Sequence, residues 1–284
     1  MSEPPLKDDN DLHDGLGDWR FRSIAKIPYK GGWGLLTAYG ELQAPTGETF
    51  EFTDFMATAL YLNVAITADA QASKLREQIK LEEILARTGP YTTIRRENIG
   101  PLFDFIEEST VASIFSFQAL EAYSNFVIQL ELGVGEHMFR CPGQPKALKG
   151  AEEIQFCGKT LDKLKTIVPQ LLKVKPPTNE ACWRELCEIK KVRDALTHLK
   201  YKDQAGAAPA AATAYNRTRT DPDFVFYKLV SGEITEASRT AVEMLNYFTR
   251  KTGTPRWLLY PLSVYGITPT PPKGTSTITI APLS

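Results

Sequence analysis

The chain has 284 residues, 43% apolar and 24% charged, with 33 Lys/Arg against 34 Asp/Glu. This is ordinary globular usage and excludes a collagen-like, wholly disordered or disulfide-scaffold chain. The near-zero net charge gives no global pointer to nucleic acid, no apolar run approaches the roughly 18 residues of a spanning helix, and the N-terminus lacks the basic start and apolar stretch of a signal peptide, so a soluble, cytoplasmic protein with no membrane contact is expected.

Residues 1–18 hold Glu3, Asp8, Asp9, Asp11, Asp14 and Asp18 against Lys7 alone, which reads as a solvated, disordered acidic tail. It does not make a calcium loop. With the loop aligned from Asn10, Leu12 falls where an oxygen ligand is required and Phe21 where a bidentate Glu is required. Residues 19–66 read as a small β-rich segment. Leu35–Gln43 and Glu48–Phe55 flank the turn sequence Ala44-Pro45-Thr46-Gly47, and Phe50 and Phe52 alternate with Glu51 and Thr53. The Gly31-Gly32-Trp33-Gly34 stretch lacks the Lys-Ser/Thr and following helix of a phosphate loop.

From about residue 69 the periodicity turns helical, and 69–252 is expected to be a bundle of four to five helices. Leu75, Ile79 and Leu85 mark one helix that stops at Gly89-Pro90. Residues 109–132 are apolar over most of their circumference, the mark of a central helix, apart from a narrow stripe of Gln118, Glu121, Asn125 and Gln129. A Gly/Pro-punctuated loop covers 133–150. A helix over about 158–172 carries Leu161, Leu164, Val168 and Leu171, with Pro169 expected to bend or end it. After Lys175-Pro176-Pro177, Thr178 or Asn179 offers an N-cap for a helix over about 180–200, where Cys182, Leu186, Ile189, Val192, Leu196 and Leu199 recur at three and four. The Ala-rich stretch 203–222 reads as a flexible insertion, 235–251 as a last helix on Ala237, Ala241, Met244, Leu245 and Phe248, and 253–284 as an extended tail.

Catalytic signatures such as G-x-S-x-G, H-E-x-x-H and the dinucleotide fingerprint are missing. Cys141, Cys157, Cys182 and Cys187 include no pair with the two-residue gap of a zinc knuckle. His137 precedes Cys141 by four, yet the spacing is too loose for a metal site, so reduced thiols, no metal and no cofactor are expected.

The candidate chemistry lies on the helix 180–200. Arg193 falls in its apolar half, between Ile189 and Leu196, where a long cation needs a partner or a cleft. His198 stands one turn after Asp194, which can orient it. Arg193 and His198 are five apart, about 140° on a straight helix at ~3.6 residues per turn, so a shared site needs a helix end at 198 or a second subunit. From 140 to 202 there are 14 Lys/Arg against 7 Asp/Glu, and Lys190, Lys191, Lys200 and Lys202 flank the pair. Such a segment suits a polyanion such as RNA; a solvated lysine-rich surface accounts for it equally well.

Arg193-Asp194-Ala195-Leu196-Thr197-His198 resembles the R-[ND]-x-x-x-H motif of the HEPN superfamily, and Phe117-Gln118-Ala119-Leu120-Glu121-Ala122-Tyr123-Ser124-Asn125 resembles the ALEAYxN helix of many bacterial members. The resemblance covers about 105–250, with a Lys-bearing helix between the two segments. It implies a helical bundle that dimerises along the motif helix and acts as a metal-independent endoribonuclease in toxin–antitoxin, phage-defence or RNA-processing systems. Other members have lost catalysis and serve in binding or dimerisation. Carried over, His198 is the acid/base for attack by a ribose 2′-hydroxyl, Arg193 neutralises the pentavalent phosphate, and Asp194 orients one of them. Glu121 and Asn125 face the motif helix in support, or form a polar seam or dimer contact. The implied partners are a second copy, RNA and a cognate antitoxin. Members paired with a minimal nucleotidyltransferase antitoxin often carry Tyr two residues after the His; here that position is Lys200, with Tyr201 one later.

Overall fold

The structure, a computed structural model, describes residues 20, 23–29, 32–37, 39–43, 45–53, 56–86, 89–133, 138–139, 147–197, 236–250 and 253–269. It is mainly helical. Two antiparallel backbone ladders come first, β1 (Ser23–Tyr29) with β2 (Gly32–Thr37) and β3 (Tyr39–Gln43) with β4 (Thr49–Thr53). Among the described residues they do not join into one sheet. The β-rich unit expected over 19–66 is therefore not supported as such, and its residues from Ala57 on are helical.

That helix, α1, spans Ala57–Gln78. Ala59, Leu62, Ala65, Ile66, Ala72 and Leu75 are buried along it. Small and unbranched residues at three- and four-residue spacing favour a helix over a strand. The helix does not run on to Leu85 as expected. It stops at Ile79, whose backbone is extended. Leu81–Ala86 (β5) and Gly89–Ile94 (β6) then form a hairpin across the Gly-Pro, closed at its base by the Arg95 amide on the Lys80 carbonyl (3.1 Å). Pro90 and the β-branched Thr92, Thr93 and Ile94 suit a strand better than a fifth helical turn.

The central helix α2 spans Ile99–Leu132, ten residues longer at its start than the apolar pattern indicates. Pro101 lies in the first turn, where a missing N–H costs no intrahelical bond. Gly133 ends the helix at φ +56, a conformation that favours glycine. Short strands β7 (Met138–Phe139) and β8 (Leu148–Lys149) pair ahead of α3 (Gly150–Cys157). Next comes α4 over residues 160–171, in which Lys163–Ile167 is a π-helical turn between Thr160–Asp162 and Val168–Leu171. The distortion expected of Pro169 takes this form: proline offers no N–H to the carbonyl four back, and the preceding turn widens.

Helix α5 spans Ala181–Thr197. Its chain enters through a 3₁₀ turn at Pro177–Asn179, so neither Thr178 nor Asn179 directly precedes the first helical residue; Glu180 does. Helix α6 spans Ala237–Thr249 and buries the five apolar residues expected of it. The C-terminal region is not wholly extended: α7 occupies Arg256–Val264, with Pro255 just ahead of it and Pro261 inside. The acidic tail 1–18 and the insertion 203–222 lie outside the described residues.

The main core gathers Leu62 and Ile66 of α1, Phe117, Leu120, Tyr123 and Val127 of α2, Leu164 and Val168 of α4, Leu186 of α5, Met244, Leu245 and Phe248 of α6, and Leu258 and Leu262 of α7. Helix α2 thus touches every other major helix, which is why it is apolar nearly all round. Among the described residues, no helix is long and apolar enough to cross a membrane.

Candidate functional site

Two cations lie against α2. The first is Arg193, on the side of α5 that faces it. Leu186, Ile189 and Val192 of α5 are buried at three-residue spacing, and Arg193, four residues after Ile189, falls on the same side. The Arg193 guanidinium carbon sits over the Phe117 ring, 4.2 Å from its centre, a cation–π contact. Phe117 is 1% exposed, whereas the Arg193 side chain keeps 22% of its surface, so the ring is a floor and the guanidinium lies at the rim. Arg193 Nη1 stands 3.3 Å from Asp194 Oδ1. The other Asp194 oxygen, Oδ2, accepts from Lys190 Nζ. The buried Arg193 Nε meets no acceptor among the described residues.

This places four of the expected site residues. Arg193, Asp194 and Lys190 form one cluster. Lys191 pairs with Glu188 (2.6 Å) on the exposed face. His198, Lys200 and Lys202 lie outside the described residues. The described part of the helix runs to Thr197, whose hydroxyl donates to the Arg193 carbonyl (2.9 Å). Asp194 has one oxygen facing Arg193 and the other accepting from Lys190.

The second cation is Lys163, in the π-helical turn of α4. It is 0% exposed. Its Nζ donates to Asn125 Oδ1 (2.8 Å) and to the Gln155 carbonyl (2.5 Å). Burial pulls the ammonium below the usual lysine range, against the opposing influence of Glu121 and Cys157. Glu121 and Asn125 therefore face α4 rather than the motif helix. One turn on, Gln129 Oε1 accepts from Gln155 Nε2 (2.8 Å). The polar stripe of α2 is a seam to α3 and α4. Its spacing signalled a polar partner, but nothing in the sequence marked Lys163 as that partner among its neighbouring lysines.

A third polar cluster escaped the sequence entirely. Asp69 of α1, 9% exposed, accepts from the Ser238 amide (2.8 Å) and from the Ser238 hydroxyl at the start of α6, and that hydroxyl also meets the Tyr265 hydroxyl. Burial pushes the Asp69 carboxyl up to about 6, against the Ser238 hydrogen bonds, and Glu236 pushes in the same direction as burial. The pair is 169 residues apart in sequence, and no local pattern announces it.

A groove of about 1040 Å³ runs between α5 and α6, lined in part by Trp183, Arg184, Glu185, Glu188, Arg239 and Glu243. Four glutamates against two arginines line it, and Arg239 is held by Glu236 and Glu243. A polyanion is repelled there, and Arg193 is not among the lining residues. Among the described residues, no group of three or more His, Cys, Asp or Glu side chains is placed to hold a metal ion. Cys182 is buried, and burial pushes its thiol up to about 11, which makes it inert; Cys157 is exposed, and Cys141 and His137 lie outside the described residues. No family model, no curated protein and no solved structure matches the chain.

Proposed function

We propose that the chain is a HEPN-like helical protein that cleaves RNA without a metal, working as a homodimer that brings Arg193, Asp194 and His198 together at a shared face. The observation that carries this reading is the contact between the two segments of the resemblance: Phe117, which opens the ALEAYxN-like segment, lies under the guanidinium of Arg193, which opens the R-D-x-x-x-H motif. In the proposed reaction His198 takes the proton of a ribose 2′-hydroxyl as its oxygen attacks the adjacent phosphorus and the bond to the 5′-oxygen breaks. The proton passes, directly or through water, to the departing 5′-oxygen, leaving a 2′,3′-cyclic phosphate and a 5′-hydroxyl. A histidine titrates near neutrality and suits that transfer. Arg193, held by Asp194, neutralises the charge that builds on the phosphoryl oxygens. Lys190, Lys191, Lys200 and Lys202 draw the RNA backbone toward the site. A toxin or phage-defence setting, with a cognate antitoxin, belongs to the same proposal.

A second reading, a non-catalytic binding or dimerisation protein, is favoured by one specific observation. The charge of Arg193 is already answered within the chain by Phe117 and Asp194, and Asp194 also holds Lys190. Cleavage of labelled mixed RNA in EDTA separates the two. Under the first reading wild-type protein cleaves and His198→Ala is slower by about 10²–10⁴. RNA left intact by the wild type selects the second.

A further inference from the structure

We infer that Phe117 is a positioning residue for Arg193, setting the plane of its guanidinium for the phosphoryl group; this rests on the ribonuclease reading. Among the described residues the guanidinium has few other constraints. One ion pair among them, Nη1 to Asp194, lets the head group swing about that contact. Nε is buried with no acceptor among them, so no hydrogen bond from a described residue fixes the plane on that side. The second constraint is the ring face at 4.2 Å. A ring and one carboxylate together define both the plane and its rotation within that plane, which neither does alone. Phe117 can serve because it is itself immobile: 1% exposed, on the central helix, packed within the main core. Arginine suits such a floor because its flat, weakly hydrated cation stacks on aromatic faces, as an ammonium does not. A guanidinium held in this way meets an anion in a fixed direction, and fixed donors act on a developing charge without first reorganising.

Phe117→Leu opens a gap in the core and confounds packing with positioning. The informative series replaces Phe117 with 4-fluoro-, 3,5-difluoro- and pentafluorophenylalanine in the full chain. Shape is nearly kept while the negative face of the ring is progressively withdrawn. The expected result is a stepwise fall in kcat for RNA cleavage in EDTA, about tenfold in total, with KM unchanged and the melting temperature lowered by no more than about 2–4 °C. A flat kcat across the series, in protein whose cleavage is still abolished by His198→Ala, overturns the positioning role and leaves the ribonuclease reading standing. If the wild type does not cleave, the ribonuclease reading falls, and the platform is judged by the ¹H–¹⁵N signal of Arg193 Nε. A sharp signal lost in the pentafluoro protein supports the platform; a signal unchanged across the series overturns it.

Discussion

Lys163 and Arg193 are both long cations packed on α2, and they are treated in opposite ways. Lys163 is wholly buried and donates to two oxygens, an amide carbonyl of α2 and a backbone carbonyl of α3, with the charge of Glu121 nearby. Arg193 is at the rim, set over a ring, tied to one carboxylate, and left with an Nε that meets no acceptor among the described residues. A buried cation persists only where its lost hydration is replaced; two acceptors and the charge of Glu121 replace it in part at the α4 corner, and burial still pulls the ammonium down. Arg193 keeps 22% of its side-chain surface, so it is open to the outside in a way that Lys163 is not. The first cation holds three helices together; the second is held by one helix and presented by another.

The largest expected effect tests that division directly. Lys163→Ala removes a fully buried side chain and strands Asn125 Oδ1 and the Gln155 carbonyl, at a cost of about 3–5 kcal/mol. Arg193→Ala, which loses one ring contact and one partly exposed ion pair, costs about 1 kcal/mol. Urea unfolding of the two variants reads the difference, and equal midpoints would break the comparison. Lys163→Met refines it by keeping the stem and removing the charge. It should recover part of the loss, because no ammonium then has to be desolvated.

Next in size is a pH effect that separates the scaffold from the motif. Asp69 has a folded-state value of about 6 against 3.8 for a free aspartate side chain. A raised carboxyl favours the neutral folded form, so its stabilisation is fully present below 3.8 and is lost as pH rises through about 6. At about 1.4 kcal/mol per unit, the loss is on the order of 3 kcal/mol. Unfolding free energies at pH 4 and pH 7 should show it, and Asp69→Asn should flatten the profile while keeping an acceptor for the Ser238 amide. Lys163 acts at the other end. Its lowered value gives stabilisation present above the ordinary lysine value of 10.5 and lost as pH falls through the folded value.

Gly158→Ala is the third step down and touches the Lys163 corner without touching the lysine's charge. A Cβ there would stand 2.6 Å from the Ile154 carbonyl oxygen and 3.1 Å from Lys163 Cε. The backbone carbonyl cannot yield as a side-chain tip could, so a loss of about 1–3 kcal/mol is expected by urea unfolding. A neutral result would mean that the lysine stem has room to move, and that its anchoring is less rigid than the hydrogen bonds indicate.

The two cations also differ in how legible they were. Arg193 stood out because a charge in the apolar half of α5 breaks a simple pattern. Lys163 did not, because lysines on a helix are ordinarily solvated and its burial depends on Gly158, on the widened turn before Pro169 and on the distant stripe of α2. Helices α2, α5 and α6 were legible from apolar periodicity, which survives wherever one element packs against several. The start of α2 was not, because Gly100-Pro101 looks like a break although it sits in a tolerant first turn. Nor was α7, where Pro255 and Pro261 signal extended chain although one lies just ahead of the helix. The β5–β6 hairpin is missed when Leu75, Ile79 and Leu85 are joined into one helix, although the six-residue step from Ile79 to Leu85 does not keep to one helical face.

The smallest expected effect concerns the exposed lysines of α5, and it decides to which of the two cations they belong. Lys191 is 65% exposed and pairs with Glu188 three residues earlier. Such a pair is worth at most about 0.5 kcal/mol, so Lys191→Ala should leave the urea midpoint almost unmoved. RNA affinity measured over a range of salt asks a different question of the same variant. If Lys191 meets a phosphate, the slope of log K against log salt becomes shallower by about 0.7, the loss of one released counterion on a single strand. Lys190→Ala goes further, because it also frees Asp194 Oδ2 and leaves Arg193 as the only cation on that carboxylate among the described residues. A shallower slope in both variants groups these lysines with Arg193 as cations turned outward. An unchanged slope groups them with Lys163, as charges whose partners all lie within the chain.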